Sequence, residues 1–291
     1  MKGTALTLVT VLALPVWVTA GGALDQRRPA APGGRVTIEN MTGTIKVIGW
    51  DKAEVWVKGT LAPDAELDFS GSEDRTRIEV EAMGNPMAAH SDLEVHVPAG
   101  SRVEVEGFQA TISVSGVVGT VDAETVNGSI TQTGAAKEVN LQSVNGTIEV
   151  SSPSGRIEVE AVNGAVTVTN ASGELKASTV NGKLVVTGGS FERASLESVA
   201  GGVEFDSGLS PRATLDVETV SGGVELRLPG AIGADFSVST FSGDIENDFG
   251  PAAVKTTRFT AQKELAFSTG GGGTRISVQT LSGAVHLRKR P

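Results

Sequence analysis

The chain has 291 residues, with 24 basic and 34 acidic side chains and a formal net charge of −10. It contains no cysteine, which excludes disulfides, thiolate nucleophiles and cysteine-ligated metal clusters. The 37 glycines, the lack of tyrosine and an aromatic share of 4% predict a β-rich protein with a core of small branched side chains. Nucleic acid is not an expected partner, because the only dense basic stretch lies at residues 288–290.

The N-terminus has the pattern of a secretory signal peptide. Lys2 precedes an apolar run over residues 5–18, and small residues lie at the −3 and −1 positions of a cleavage site after Ala20. The run is shorter than the roughly 20 apolar residues of a transmembrane helix, and Pro15 interrupts it. We therefore expect a signal peptide at residues 1–20, cleaved near Ala20, and no transmembrane span in the mature chain. The protein is then exported to the periplasm or the cell surface.

Residues 21–34 are rich in glycine, proline and alanine, which predicts a flexible linker. The remainder, residues 35–291, is predicted to form one β-domain. Within it, residues 35–107 carry inserted loops and capping strands, residues 108–247 carry regular repeats, and residues 248–291 carry a last repeat and a cap.

The tripeptide Val-Asn-Gly is the most regular feature of the sequence, and its glycine anchors each repeat. The four anchors, 18 residues apart, are Gly128, Gly146, Gly164 and Gly182. Degenerate copies have their anchors at Gly43, Ala110, Gly201, Gly222, Gly243 and Gly283. Positions −7, −5, −2, +2 and +4 from the anchor stay apolar, apart from Gln132 and Asn247 at +4. The alternation predicts a half-buried strand, a turn and a second half-buried strand in every copy.

The near-constant repeat length favours a solenoid over a meander of hairpins, because like positions stack on like positions in a solenoid. The predicted fold is all-β, a single-stranded β-solenoid (β-helix) with coils of about 18–21 residues and irregular capping strands at both ends. Position −2 does not share the parity of −7 and −5. We therefore expect a bend between −5 and −2, with Val144 and Ile148 both facing inward.

The asparagine at −1 and the glycine of each turn are expected to be structural. They are Asn127, Gly128, Asn145, Gly146, Asn163, Gly164, Asn181 and Gly182. The asparagine tolerates positive φ beside a glycine, and its amide can hydrogen-bond along the stack. Later copies have Ala200, Ser221, Ser242 or Ser282 in its place, which suits turn geometry better than ligand recognition.

The sequence shows no catalytic, cofactor-binding or metal-binding signature; the three histidines, for example, lack metal-ligand spacing. Carboxylates recur at position +3 and also at −4. The +3 glutamates form a candidate binding face for a cation or a cationic peptide: Glu149, Glu204, Glu225 and Glu246. The −4 glutamates are Glu124, Glu160, Glu197 and Glu218. A solvated acidic face is the alternative for both rows.

Four segments carry a family resemblance: "VTIENMTGTIKVIGWDKAEVWVKGT", "LEVHVPAGSRVEVE", the serial "VETVSGGVEL" coils and the closing "RISVQTLSGAVHL". In this order they resemble the bacterial putative-adhesin family of β-strand-repeat domains of unknown function, over about residues 35–288. The resemblance implies an exported or membrane-associated β-solenoid, with some relatives linked to envelope stress. It supplies no catalytic residues.

Together these features predict an exported, non-enzymatic scaffold, adhesin-like or related to envelope stress. It would bind an envelope or surface ligand (protein, peptide or polysaccharide) through its stacked polar faces, without a cofactor. A carbohydrate-active β-helix enzyme and a self-assembling extracytoplasmic filament remain as alternatives, the latter by self-association.

Overall fold

The computed structural model describes residues 16–18, 23–85, 87, 89–252, 254–255 and 262–290. Within these ranges the chain forms β-strands and no α-helix, which confirms the all-β prediction. The described part accordingly contains no helix long and apolar enough to cross a membrane. The predicted signal peptide lies outside the described residues except for a three-residue strand, Val16–Val18.

Twenty-four strands make up the described part of the chain. The N-terminal eight are β1 (Val16–Val18), β2 (Ala23–Pro29), β3 (Arg35–Trp50), β4 (Glu54–Thr60), β5 (Ala65–Gly71), β6 (Arg75–Ala82), β7 (Ser91–Pro98) and β8 (Arg102–Ser115). The next eight are β9 (Thr120–Asn127), β10 (Ile130–Thr133), β11 (Glu138–Asn145), β12 (Ile148–Ser151), β13 (Ser154–Asn163), β14 (Val166–Thr169), β15 (Ser172–Asn181) and β16 (Leu184–Ala200). The last eight are β17 (Val203–Ser221), β18 (Val224–Pro229), β19 (Ala234–Ser242), β20 (Ile245–Asn247), β21 (Val254–Lys255), β22 (Lys263–Thr269), β23 (Thr274–Ser282) and β24 (Val285–Arg290).

Each regular coil contributes one strand to each of two parallel faces. The long face consists of strands that lead into the Asn-Gly turn, and β9, β11, β13 and β15 pair there in register. The short face consists of strands that follow the turn, and β10, β12 and β14 pair there in the same way. Every partner lies one repeat away, as in Ile130↔Ile148 and Ile148↔Val166. This register confirms the predicted β-solenoid.

The apolar columns fill the space between the two faces. Val139 and Leu141 on the long face and Ile148 and Val150 on the short face are all buried. Identical apolar positions therefore stack on one another, which keeps the core continuous from coil to coil.

The N-terminal cap is built from residues 51–101. Strand β3 pairs directly with β8, so the chain between them forms a layer of its own over the first coil. In that layer β4 pairs antiparallel with β7, and β5 pairs antiparallel with β6. Strands β6 and β7 pair in parallel with β3. The cap therefore covers the backbone edge that the first coil would otherwise leave open.

The predicted flexible linker at residues 21–34 is wrong for residues 23–29. Residues 23–29 form β2, which pairs antiparallel with β4 over its whole length. Leu24 is buried, and the Arg28 guanidinium donates to the main-chain carbonyl oxygens of Phe69 (2.9 Å) and Gly71 (2.7 Å). Composition suggested a linker because this strand has few apolar residues; its order comes from pairing with a distant strand.

The C-terminal coil occupies a position out of sequence order. Strand β23 lies between β17 and β19, and β24 lies between β18 and β20. The chain passes along the outer edge of β19 as the antiparallel strand β22 and then reverses at residues 270–273. All four glycines of that reversal have positive φ, between 55° and 118°, which only glycine adopts readily. The last coil thus fills a gap that two earlier coils leave between them.

Candidate functional site: a groove along the turn edge

The valine that precedes each Asn-Gly turn lies on the outside of the solenoid. Val144 is 39% exposed, whereas Ser143 and Ile148 are buried. The expectation that Val144 faces inward is therefore wrong, and the one for Ile148 holds. Burial alternates along β11 from Glu138 to Val144 without interruption, so the inward positions are −7, −5 and −3, and the outward ones are −6, −4 and −2.

Buried hydroxyl groups at −3 explain why the strand keeps this alternation. The Ser143 hydroxyl donates to the carbonyl oxygen of Gly128 at 3.1 Å, and the Thr179 hydroxyl donates to that of Gly164 at 3.0 Å. Thr125 makes the same contact with the carbonyl of Ala110 at 3.0 Å. A Ser or Thr side chain can thus be buried without leaving its hydroxyl unsatisfied.

The turn itself is held by an amide ladder and by close backbone contacts. The Nδ2 atoms of Asn145, Asn163 and Asn181 each donate to the Oδ1 atom of the asparagine one coil earlier at 2.9 Å. Neither these asparagines nor the glycines that follow them have positive φ. The glycine is needed for space instead, because a Cβ on Gly146 would lie 1.9 Å from the Gly128 carbonyl oxygen.

The outward −2 residues from Val126 onward form what we call the apolar stripe, which crosses eight coils. In spatial order it consists of Val126, Val144, Val162, Val180, Val199, Val220, Leu281 and Phe241. Val126 is partly exposed, and the other seven side chains are between 38% and 55% exposed. A contiguous row of exposed apolar side chains is uncommon on a soluble surface and is typical of an interaction site.

A row of carboxylates, here called the acidic row, runs beside the stripe at position −4. From the coil of Ala110 onward it consists of Glu106, Glu124, Glu160, Glu197 and Glu218, with Gln142, Ser178, Gln279 and Ser239 in the other coils. Lys176 lies 3.5 Å from Glu160. The other four glutamates form no ion pair within the described part of the chain.

The stripe and the acidic row together line a continuous groove. One section has a volume of about 600 Å³ and extends from Ser178 and Val180 to Phe241 and Gln262. The adjoining section, of about 350 Å³, extends from Glu106 to the same Ser178 and Val180. Among the described lining residues there is no lysine or arginine, so the groove is apolar along one side and negatively charged along the other.

The structure disperses the four +3 glutamates that the sequence suggested as a binding face. Thr131 and Thr167 flank Glu149 on the short face. Glu204 and Glu225 are direct neighbours, but His286 separates Glu225 from Glu246 because the last coil inserts there.

Basic partners also neutralise three of these four carboxylates. Lys183 lies 2.6 Å from Glu204, and Arg227 lies 2.8 Å from Glu225. Glu246 contacts both His286 and Arg288, whose hydrogen bonds lower the pKa of its carboxyl. No group of three or more potential metal ligands occurs within the described ranges.

Sequence reasoning missed the groove because it scored position −2 as core. A signal was present: seven of the ten copies have Ser or Thr at −3, and a small hydroxyl residue at an inward position preserves strict alternation. Alternation would then have placed the valines on the outer face beside the −4 glutamates.

Comparison with known proteins agrees with this architecture. A crystal structure of a "putative adhesin" from Parabacteroides distasonis is 10% identical, with a TM-score of 0.50 over 92% of this chain and 97% of that one. A "putative lipid binding protein" from the same species is 10% identical, with a TM-score of 0.43 over 94% and 99% of the two chains. No curated protein matches the chain. The model of one family, Toastrack DUF4097, matches residues 64–288, and the chain therefore belongs to this family.

Proposed function

We propose that this protein is an exported, non-enzymatic, adhesin-like scaffold of the cell envelope that binds its ligand along the turn-edge groove. The observation that carries the proposal is the apolar stripe, which stays exposed across eight coils although the same fold buries every other apolar column. A solenoid is well suited to this task, because stacking yields a long and rigid binding surface.

Two further observations support binding over catalysis, and a third supports export. The chain belongs to the Toastrack DUF4097 family, and the solved protein with a TM-score of 0.50 carries an adhesin description. The four +3 glutamates lie apart or are held in ion pairs, whereas the carboxylates of a glycoside hydrolase face each other across a bond. Export rests on the N-terminal pattern that ends at Ala20.

Two measurements test export and the absence of catalysis. Fractionation of cells that produce the full chain should place the protein outside the cytoplasm, with a mature N-terminus close to residue 21. A chain that keeps Met1 in the cytoplasm contradicts export. Turnover of an acidic or neutral polysaccharide that is lost in Glu225→Gln would establish the enzymatic alternative instead.

Binding through the groove has its own test. Purified mature protein should bind isolated cell envelopes, and the double variant Val199→Ser/Val220→Ser should lose most of that binding while keeping the circular-dichroism spectrum of the wild type. Val118→Ser is a matched control, because Val118 is 43% exposed and lies outside the groove. Equal binding by the double variant and the wild type would rule out the groove.

A further inference from the structure

We infer that the partner which occupies the groove is a cationic amphipathic α-helix, supplied by another polypeptide. This inference rests on the proposed function, since it names the class of ligand for the same groove. Its basis is the pairing of an apolar stripe with an acidic row on one flank only.

The negative charges of the groove imply that the partner carries positive charge. Four carboxylates of the acidic row, those of Glu106, Glu124, Glu197 and Glu218, have no ion-pair partner among the described residues, and all four side chains are exposed. Basic side chains along one edge of the ligand would supply the missing partners. An anionic lipid surface is disfavoured by the same charges, and a second copy would bring two acidic rows together.

The spacing of the coils selects a helix over an extended peptide. Neighbouring coils of a β-solenoid are about 4.8 Å apart, so the stripe offers one apolar contact at about that interval. Consecutive turns of an α-helix present side chains on one face every 5.4 Å or so. An extended strand would present side chains on one face about every 6.7 Å, so its side chains would fall out of step with the coils of the stripe over a shorter distance than those of a helix.

The flank opposite the acidic row is neutral, which makes the groove asymmetric. The −1 side chains on that flank are asparagines in four coils, joined by the amide ladder, and alanine or serine in the later ones. The partner helix therefore needs basic residues on one side of its apolar face and neutral polar residues on the other. Its contact length is about 34 Å across eight coils, or about 22 residues.

The test uses a fluorescent synthetic helix of about 22 residues, with leucine at helical spacing and lysine on one flank. Binding to the mature protein is followed by fluorescence anisotropy. We expect saturable binding that weakens as salt is raised. A second peptide with glutamate in place of each lysine should bind at least about tenfold more weakly.

Charge variants test the acidic row against a matched control. Glu197→Gln/Glu218→Gln should weaken peptide binding by about tenfold. Glu138→Gln/Glu149→Gln removes the same charge from exposed sites outside the groove and should change it less than about twofold. Val199→Ser/Val220→Ser should also weaken binding about tenfold, with Val118→Ser as its control.

Several outcomes would overturn the inference. The first is that the lysine peptide does not bind. The second is that the glutamate peptide binds as tightly as the lysine peptide, and the third is that Glu197→Gln/Glu218→Gln and Glu138→Gln/Glu149→Gln weaken binding equally. Binding of phosphatidylglycerol vesicles, or self-association in sedimentation, that is lost only in the groove variants would assign the groove to lipid or to a second copy. If envelopes bind through the groove but the peptide does not, the proposed function stands and this inference fails.

Discussion

Gly283 lies directly against Gly222, although the coil of Gly243 comes between them in the sequence. A Cβ on Gly283 would lie 2.0 Å from the Gly222 carbonyl oxygen, and one on Gly243 would lie 2.0 Å from the Gly283 carbonyl oxygen. The C-terminal coil therefore lies between two coils that precede it in the sequence. Strands β17 and β18 can therefore pair with their neighbours on this side only when β23 and β24, near the C-terminus, are in place.

Gly283→Ala should accordingly destabilise the protein, by about 2 kcal/mol or more, because the new methyl group must displace the backbone carbonyl of Gly222. Gly223→Ala is the control: its Cβ would meet nothing closer than 3.5 Å, and Gly223 does not have positive φ. We expect the control to stay within about 0.5 kcal/mol of wild type. Urea unfolding measures both, and equal midpoints for the two variants would contradict the insertion of the last coil.

A charged side chain introduced at position +2 should destabilise the fold far more than one introduced at position −2. Val166→Asp places a carboxylate in a fully buried column between coils and should cost several kcal/mol. Val162→Asp adds the same group to the exposed stripe and should cost less than about 1 kcal/mol. Thermal unfolding of the two proteins distinguishes the positions. A large loss in Val162→Asp would show that the stripe is packed against something in the native fold.

Gln132 is a polar residue in an otherwise apolar column. It is buried between Val114 and Val150, and its Oε1 atom accepts no hydrogen bond from the described residues. Gln132→Val should therefore stabilise the solenoid by about 1 kcal/mol, because it removes an unsatisfied acceptor and continues the column. The Gly134 carbonyl loses its bond from Gln132 but keeps the one from the Ala136 amide. A lower urea midpoint than wild type would contradict this expectation.

Glu94 should make the stability of the protein depend on pH between about 2 and 4.5, because its pKa lies below that of an ordinary glutamate. Hydrogen bonds from Lys58 and His96, together with Lys46, lower the pKa of Glu94 to about 2. Since the unfolded-state pKa is higher, at 4.5, this contribution is complete above about pH 4.5 and is lost as the pH falls toward 2.

Glu94→Gln should thus lose about 1 kcal/mol at pH 7, a modest cost because the side chain is partly solvated. The difference from wild type should shrink between pH 4.5 and 2. Chemical denaturation at several pH values measures it, with Glu149→Gln as a control whose carboxylate forms no ion pair within the described ranges. A difference in unfolding free energy that stays constant across that pH interval would show that the Glu94 carboxylate does not cause the pH dependence.

Sequence alone determined the class of the fold and the position of each turn. Repetition of like residues at a fixed interval leaves few architectures other than a stack of coils, because only stacking places identical residues in identical surroundings. The columns at −7, −5, +2 and +4 were therefore assigned correctly as core. The amide ladder was foreseeable for the same reason, since asparagine recurs at −1 in the four consecutive Val-Asn-Gly coils.

Tertiary structure decided what a single repeat does not encode. The valines at −2 face water because the residues at −3 point inward. Most of these have a hydroxyl that bonds to a backbone carbonyl, as Ser143 does to Gly128 of the neighbouring coil, and local alternation of apolar residues does not reveal that contact. Strand β2 is ordered by β4, and the last coil lies out of order because β19 leaves room beside β17. These pairings join distant segments, and they set which apolar and acidic rows face solvent together.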